Sequence, residues 1–404
     1  MSAQQAADAT TAVPPHRVVI LGAGYAGMSA AVQLAARVKR GGNVEVTVVN
    51  ARERFTERMR LHMAATGQPL AELSIPRLLG GTGARFVCGR VTAVDARTRT
   101  VRVDDERVLP YDTLVYGLGG VADTAAVPGV AEHAHTLDSA RHAEALADRL
   151  TRLGSGTVVV AGSGLTGVET AAEIAERHPG LHVVLLGRAE PGADMHPKAR
   201  AYLHAALERL GVRVRCGTEV VKVLPTTVGL ADGQSVDADV VVWASGTRGA
   251  PPAASSGVTV DERGRIVTDA ALRSVSHPEV YAVGDAAAVR QGYGVMHGTC
   301  QSGMPTGVHA AVSIVRALRG KQPKPFRFGY YHTPVSLGRN DAVVQFTRPD
   351  GSPRRMYLTG RAAVRYKETV TASPWPTWGR MKALPAAGAV WPRGGRLTRN
   401  RTAR

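Results

Sequence analysis

Val18-Val19-Ile20-Leu21-Gly22-Ala23-Gly24-Tyr25-Ala26-Gly27 reads as a short apolar strand running into G-x-G-x-x-G. A helix-like run follows from Met28 to about Val38, and Val44 to Val49 read as a second strand. A strand, a glycine turn, a helix and a second strand make the context that a dinucleotide fingerprint requires. Gly22 permits the tight turn, Gly24 lets a pyrophosphate approach the backbone, and Gly27 lets the helix pack close to the strand. The free N–H groups at the helix start then face the phosphates.

The pattern recurs about 140 residues later. Thr157 to Ala161 lead into Gly162-Ser163-Gly164-Leu165-Thr166-Gly167, then a helix-like stretch to Arg177 and a strand from Leu181 to Leu186. One such glycine turn is weak evidence; two in the right context imply two nucleotide domains in one chain.

Composition sets the outer limits. A chain of 404 residues with 44% hydrophobic content can bury large cores in two or three domains. No uninterrupted apolar run approaches the roughly eighteen residues of a membrane span. Residues 1–16 lack a signal pattern and read as a disordered leader. Cys88, Cys216 and Cys300 are too scattered for a disulfide framework or a zinc site, which fits a reducing cytoplasm. Of the net charge of +17, +11 falls in the last 54 residues, where twelve Lys or Arg face only Glu368. The basicity therefore belongs to the tail.

The second strand ends at Asn50, where such sites usually carry an acid; one amide carbonyl can hold a ribose less strongly. Arg52, Arg58 and Arg60 follow, and are as consistent with solvated charge as with phosphate contacts. Residues 85–94 and 100–108 alternate like a small antiparallel insert. At the second strand's end stands Gly187-Arg188. An acid there would favour NADH, and an arginine can pair with a 2′-phosphate, so both NADH and NADPH stay open.

Tyr111 to Gly120, a strand running into glycines, resembles the point where the two-dinucleotide flavoprotein reductases cross to their second domain. Val280-Tyr281-Ala282-Val283-Gly284-Asp285 resembles that superfamily's strand–Gly–Asp motif, in which the Asp holds the ribityl chain of FAD and a following helix N-terminus faces a phosphate. Within the pyridine nucleotide-disulfide oxidoreductase superfamily, Gly167 to Glu173 and Met304-Pro305-Thr306-Gly307 are similar to the type II NADH:quinone dehydrogenase branch. In that branch the first Glu lies near the nicotinamide, and the second segment opens a helix facing the isoalloxazine. The resemblance runs from Val18 to Arg319, more loosely to Glu368, and reaches in outline to the apoptosis-inducing-factor branch.

The resemblance implies an α/β fold of two Rossmann-like domains, the NAD(P) domain inserted in the FAD domain, with a C-terminal antiparallel β region and a basic tail. The expected divisions are 17–125 with 251–325 for FAD, 126–250 for NAD(P), 326–370, and 371–404. It implies FAD held by Gly22, Ala23, Gly24, Tyr25, Ala26, Gly27, Asn50, Ala51, Arg52, Arg60, Val91, Gly119, Gly284, Asp285, Pro305 and Thr306. NADH or NADPH would meet Gly162, Gly164, Leu165, Thr166, Gly167, Glu169, Arg188, Ser245 and Gly246. Glu169 and Lys367 are the catalytic candidates, although Lys367-Glu368 also reads as an exposed charge pair.

No C-x-x-C or C-x-x-x-x-C pair is present to meet a flavin, and Cys300 alone reads as a buried, inert thiol. No histidine has a partner at metal-ligand spacing. The chemistry therefore belongs to the flavin, with a small-molecule electron acceptor, quinone-like in the family's implication. The rivals are a tailoring flavoenzyme working on FAD alone, a donor to an acidic electron-transfer protein, and a flavin-bearing binding protein whose tail meets nucleic acid. Nothing but charge supports the last. A homodimer is allowed but not required.

Trp375, Trp378 and Trp391 sit among basic residues, which suits peripheral contact with a membrane. Pro374, Pro376, Pro385 and Pro392 speak against one long anchor helix. The favoured expectation is that the tryptophans pack as a lid and the last dozen residues are disordered.

Overall fold

A computed structural model describes residues 14–39 and 43–399. The expected leader lies outside these residues except for its last three.

Each fingerprint strand sits at the centre of its own five-stranded sheet. The first sheet runs Val280–Ala282, Thr113–Tyr116, His16–Leu21, Val44–Asn50, Arg85–Cys88, all parallel. The second runs Arg213–Arg215, Leu181–Leu186, Gly156–Ala161, Val240–Trp243, Ala134–Thr136, again all parallel. A strand covered on both faces needs apolar side chains on both. Accordingly Val18 and Ile20 pack with the helix Tyr25–Val38, and Val19 and Leu21 pack on the other face with Tyr111, Leu114 and Phe326. In each sheet the strand order reverses beside the fingerprint strand, which opens a crevice at the strands' carboxyl ends.

Two short strands, Gly120–Ala122 and Thr247–Gly249, pair antiparallel where the chain leaves for the second sheet and returns. The units also share a core. Leu61, Ala64 and Ala65 of the first unit, and Val335, Leu337 and Val343 of the C-terminal strands, pack with Val158, Val168 and Leu185 of the second.

The insert differs in part from expectation. Arg85–Cys88 joins the main sheet as a parallel edge strand, and only Val91–Asp95, Thr100–Val103 and Arg107–Pro110 form the antiparallel unit. Alternation alone cannot tell an edge strand from a hairpin strand. The C-terminal region forms a three-stranded antiparallel sheet, His332–Ser336, Ala342–Thr347 and Pro353–Thr359, turning at Gly351 and followed by the helix Gly360–Ala372. Among the described residues no helix is long and apolar enough to cross a membrane.

Candidate functional site

The two glycine turns are near copies. Gly22 has φ +84°, and a Cβ on Gly27 would overlap the carbonyl oxygen of Gly22. Gly162 has φ +125°, and a Cβ on Gly167 would overlap the carbonyl of Gly162 in the same way. At Gly24 and Gly164 nothing lies within 4 Å of a built Cβ, so both turns are open there. Both residues cap their helices without a side-chain hydrogen bond, which leaves first-turn N–H groups for an anion. Leu165 and Thr166 are exposed at the second turn. Ser245 and Gly246 follow the strand Val240–Trp243, whose end abuts Gly162.

Around the first turn, Asn50 Oδ1 accepts the Ala23 N–H at 2.9 Å, and Nδ2 donates to the carbonyl of Arg52 at 2.7 Å. The amide thus braces the turn itself; Ala51 and Arg52 are exposed beside it. Thr306 Oγ1 accepts the Gly284 N–H at 2.9 Å, which ties the Gly-Asp motif to the long helix Cys300–Leu318. Asp285 takes no hydrogen bond from the described residues, and burial pushes its carboxyl up from the ordinary value. Gly298 runs over it, since a Cβ there would overlap Asp285 Oδ1. A half-buried carboxylate that takes no donor from the described residues suits the hydroxyls of a polyol, so the donor set and the open cradle fit FAD.

Two expectations at this place need correction. Gly284–Ala286 is a single 3₁₀ turn and the next helix starts only at Cys300, so no helix N-terminus directly follows Asp285. That helix opens four residues before Met304, because Thr299 and Ser302 form a capping box. Pro305 lies inside it. Gly119 (φ +75°) and Val91, at the start of its strand, stand apart from these contacts.

The sequence candidates Glu169 and Lys367 meet. Lys367 Nζ lies 2.8 Å from Glu169 Oε1 and donates to Ser336 Oγ at 2.6 Å. The Ser336 N–H donates to the same carboxylate at 3.0 Å. Burial alone would raise the Glu169 carboxyl, but Lys367, His62 and the Ser336 N–H outweigh it and hold the group below its ordinary value. The reading of Lys367-Glu368 as an exposed pair is therefore corrected: Lys367 is buried, and Glu368 bonds Arg60 at 2.8 Å. Arg60 also reaches Glu57 at 3.3 Å, so its guanidinium is spent inside this network.

Three further groups carried no sequence signal. His62 Nδ1 lies 3.8 Å from Glu169 Oε2, and Nε2 is buried without a partner among the described residues. Burial pushes the His62 imidazole down to about 4, against the pull of Glu169. Glu173, one turn after Glu169, bonds Gln68 and is raised by burial. Gln301 joins the long helix to the C-terminal strands, accepting from the Tyr331 N–H and donating to the His332 carbonyl, each at 3.0 Å. Cys300 lies against Met59 and is pushed up to about 12, first by burial and then by Asp285; Lys367 and Glu169 also act on it. Cys300 is half-buried, and its raised thiol agrees in direction with the expected unreactive cysteine.

The tail packs as the expected lid. Trp378 is fully buried, donates to Ser29 Oγ at 2.9 Å, and stands edge-on to Phe55 at 5.0 Å. Trp391 donates to the Arg327 carbonyl at 2.9 Å. The expected disorder of the last dozen residues is corrected for 393–399: Arg327 bonds Thr398 Oγ1 and the Gly395 carbonyl. Residues 400–404 lie outside the described chain. Arg188 is 77% exposed, with Glu219 3.8 Å away.

A family model described as pyridine nucleotide-disulphide oxidoreductase matches residues 16–313. An NADH dehydrogenase-like protein of Mycobacterium tuberculosis is 33% identical over 382 residues, covering 88% of this chain and 92% of that one. A type II NADH:quinone oxidoreductase of Staphylococcus epidermidis is 28% identical over 363 residues, covering 81% and 89%. Among solved structures, NDH2 of Plasmodium falciparum in complex with NADH superposes with a TM-score of 0.75 at 14% identity, over 93% and 99% of the two chains. The sulfide:quinone oxidoreductase of Aquifex aeolicus gives 0.77 at 17%, over 91% and 92%. At those identities the likeness is one of fold.

Proposed function

The chain belongs to the pyridine nucleotide-disulphide oxidoreductase family, and from that premise we propose an FAD-dependent NAD(P)H oxidoreductase with a quinone-like acceptor. The overall change is NAD(P)H plus acceptor plus one proton giving NAD(P)⁺ and the two-electron-reduced acceptor. Bound FAD supplies the electron-carrying chemistry between the two substrates.

The observation that carries this reading is the Glu169–Lys367 pair. Glu169 lies at the start of the second turn of the second fingerprint helix and Lys367 in the C-terminal helix. Their salt bridge lies near enough to Cys300 to act on its thiol, as Asp285 also does. Gly22, Gly24, Gly27 and Asp285 hold FAD. Gly162, Gly164, Gly167 and the helix N–H groups hold the nicotinamide dinucleotide. With FAD bound, Lys367 would offer an N–H donor on the side of the C-terminal helix. Glu169, held ionised by Lys367 and the Ser336 N–H, orients that lysine and fixes the C-terminal strand against the second fingerprint helix.

The test is NAD(P)H-dependent reduction of a soluble quinone by the purified protein. Glu169→Gln should keep its flavin and lose at least about ten-fold in turnover. A protein that neither carries FAD nor takes it up would end the reading.

Peripheral membrane contact belongs to the same proposal. Val390 is 88% exposed and Leu384 is exposed beside Lys382, an apolar and basic edge suited to a lipid surface. Co-sedimentation with anionic vesicles, lost on Leu384→Asp with Val390→Asp, is the expected result.

A further inference from the structure

We infer that the second cradle selects the 2′-phosphorylated dinucleotide, NADPH, and that Ser163, Gly187 and Arg188 together make the choice. The inference rests on the reading that this cradle holds a nicotinamide dinucleotide, and it narrows that reading to one ligand.

The two halves of the molecule show how. In each sheet the second strand runs in register beside the fingerprint strand, Leu21 opposite Val49 and Ala161 opposite Leu186. Residues 50 and 187 are therefore counterparts, each lying next to the middle residue of its glycine turn, Ala23 or Ser163. In the first half the side chain stands at the strand end: Asn50 reaches back to the Ala23 N–H. In the second half the side chain stands in the turn instead. Ser163 Oγ donates to the Ala189 carbonyl at 2.7 Å and fills the space beside Gly187. A Cβ at 187 would overlap both Oγ and Cβ of Ser163 and stand 3.1 Å from its backbone nitrogen. The Ser163 Cβ is fixed to the backbone, so no rotamer change clears it.

Position 187 is where an acid would grip the 2′-hydroxyl of NADH and repel the 2′-phosphate of NADPH. Ser163 forbids any side chain there. The same hydroxyl draws residues 187–189 against the turn, and Arg188 leaves from that loop. Its one ion pair among the described residues, to Glu219 at 3.8 Å, joins two exposed groups, 77% and 58%. Such a pair is weak in water and yields readily to a phosphate, which an arginine can bind through two N–H groups. The next acid along the loop, Glu190, faces Arg200 at 3.5 Å. The guanidinium of Arg215, on the neighbouring strand, is held by Gln234 at 2.8 Å. Among the described residues of this loop Arg188 is thus the cation placed to answer a 2′-phosphate, and Ser163 keeps an acid from position 187.

The test is calorimetric titration of the flavin-loaded protein with ADP-ribose and with 2′-phospho-ADP-ribose, which bind without reducing the flavin. The phosphorylated ligand should bind roughly ten-fold or more tightly, the scale of a charge-assisted contact. Arg188→Gln, an exposed change, should bring the two to near parity by weakening only the phosphorylated ligand. Gly187→Glu alone should weaken both ligands. Combined with Ser163→Gly it should invert the preference. Equal or tighter binding of ADP-ribose by the unaltered protein, with the flavin still bleached by NADH, would overturn the selection of NADPH and leave the reductase reading standing. If neither ligand binds and neither NADH nor NADPH bleaches the flavin, the reading of the second cradle falls as well.

Discussion

Lys367→Met removes the cation from a buried pair while keeping most of the side chain's volume. Glu169 Oε1, 2.8 Å from Nζ in the unaltered protein, is then left with the Ser336 N–H and a neutral His62. A buried carboxylate so deprived costs about 3–5 kcal/mol. The cost has a ceiling, because the site can take up one proton instead. With an ordinary carboxyl value near 4.3, protonation at pH 7 costs about 4 kcal/mol, and at pH 5 about 1 kcal/mol. The sign differs from that of the unaltered protein. There the Glu169 carboxyl is held low, so its contribution is present above the unfolded value and is lost as pH falls through the folded one. In the variant the carboxyl is raised, and the penalty grows as pH rises above about 4.3. Urea unfolding at pH 7 and pH 5, followed by far-UV circular dichroism, should give a loss of about 4 kcal/mol at the higher pH and about 1 kcal/mol at the lower. Adding Glu169→Gln should recover most of it. A loss below about 1 kcal/mol at pH 7, or an equal loss at both pH values, would refute the buried pair as described.

Other expectations follow from single contacts. Trp378→Ala empties a fully buried site against Phe55 and Tyr25 and removes the indole N–H bond to Ser29 Oγ; unfolding should show a loss of about 3–5 kcal/mol. Asp285→Ala should leave far-UV dichroism unchanged and weaken FAD retention at least about ten-fold, read from visible absorbance after gel filtration. Gly27→Ala, whose Cβ would overlap the Gly22 carbonyl, should yield protein without flavin by the same readout. His62 is neutral in the fold, with its imidazole pushed down to about 4, so the unfolded chain takes the proton first. Stability should therefore fall as pH drops from about 6.5 towards about 4, and His62→Gln should flatten that slope by about 1.4 kcal/mol per pH unit.

The parts legible in the sequence are those written in adjacent residues. Each glycine turn lies between its own strand and helix, so both cradles and both sheets could be read directly. Gly284-Asp285 was legible for the same reason. What spacing could not show is contact between distant segments. Glu169 and Lys367 each stand out in the sequence, yet nothing in the 197 intervening residues says that they touch, and the bland reading of Lys367-Glu368 follows from seeing only neighbours. His62 follows a run of basic residues, and nothing in the sequence says that its neighbours Leu61 and Ala64 pack into the core of the second unit. The start of the long helix was misplaced because Thr299 and Ser302 form a cap with a serine where the usual signature has an acid or amide. The interlock of Ser163 with Gly187 is steric, and a missing acid at 187 gives no hint of its cause.

On the proposed reading, a dinucleotide in the second cradle reduces FAD in the first. Anaerobic stopped-flow mixing of the flavin-loaded protein with NADPH, and in parallel with NADH, tests it most directly through the flavin's visible absorbance. Rapid bleaching by NADPH, followed by return of the absorbance when a quinone is added, is the predicted result. A flavin that stays oxidised with both dinucleotides would contradict the account.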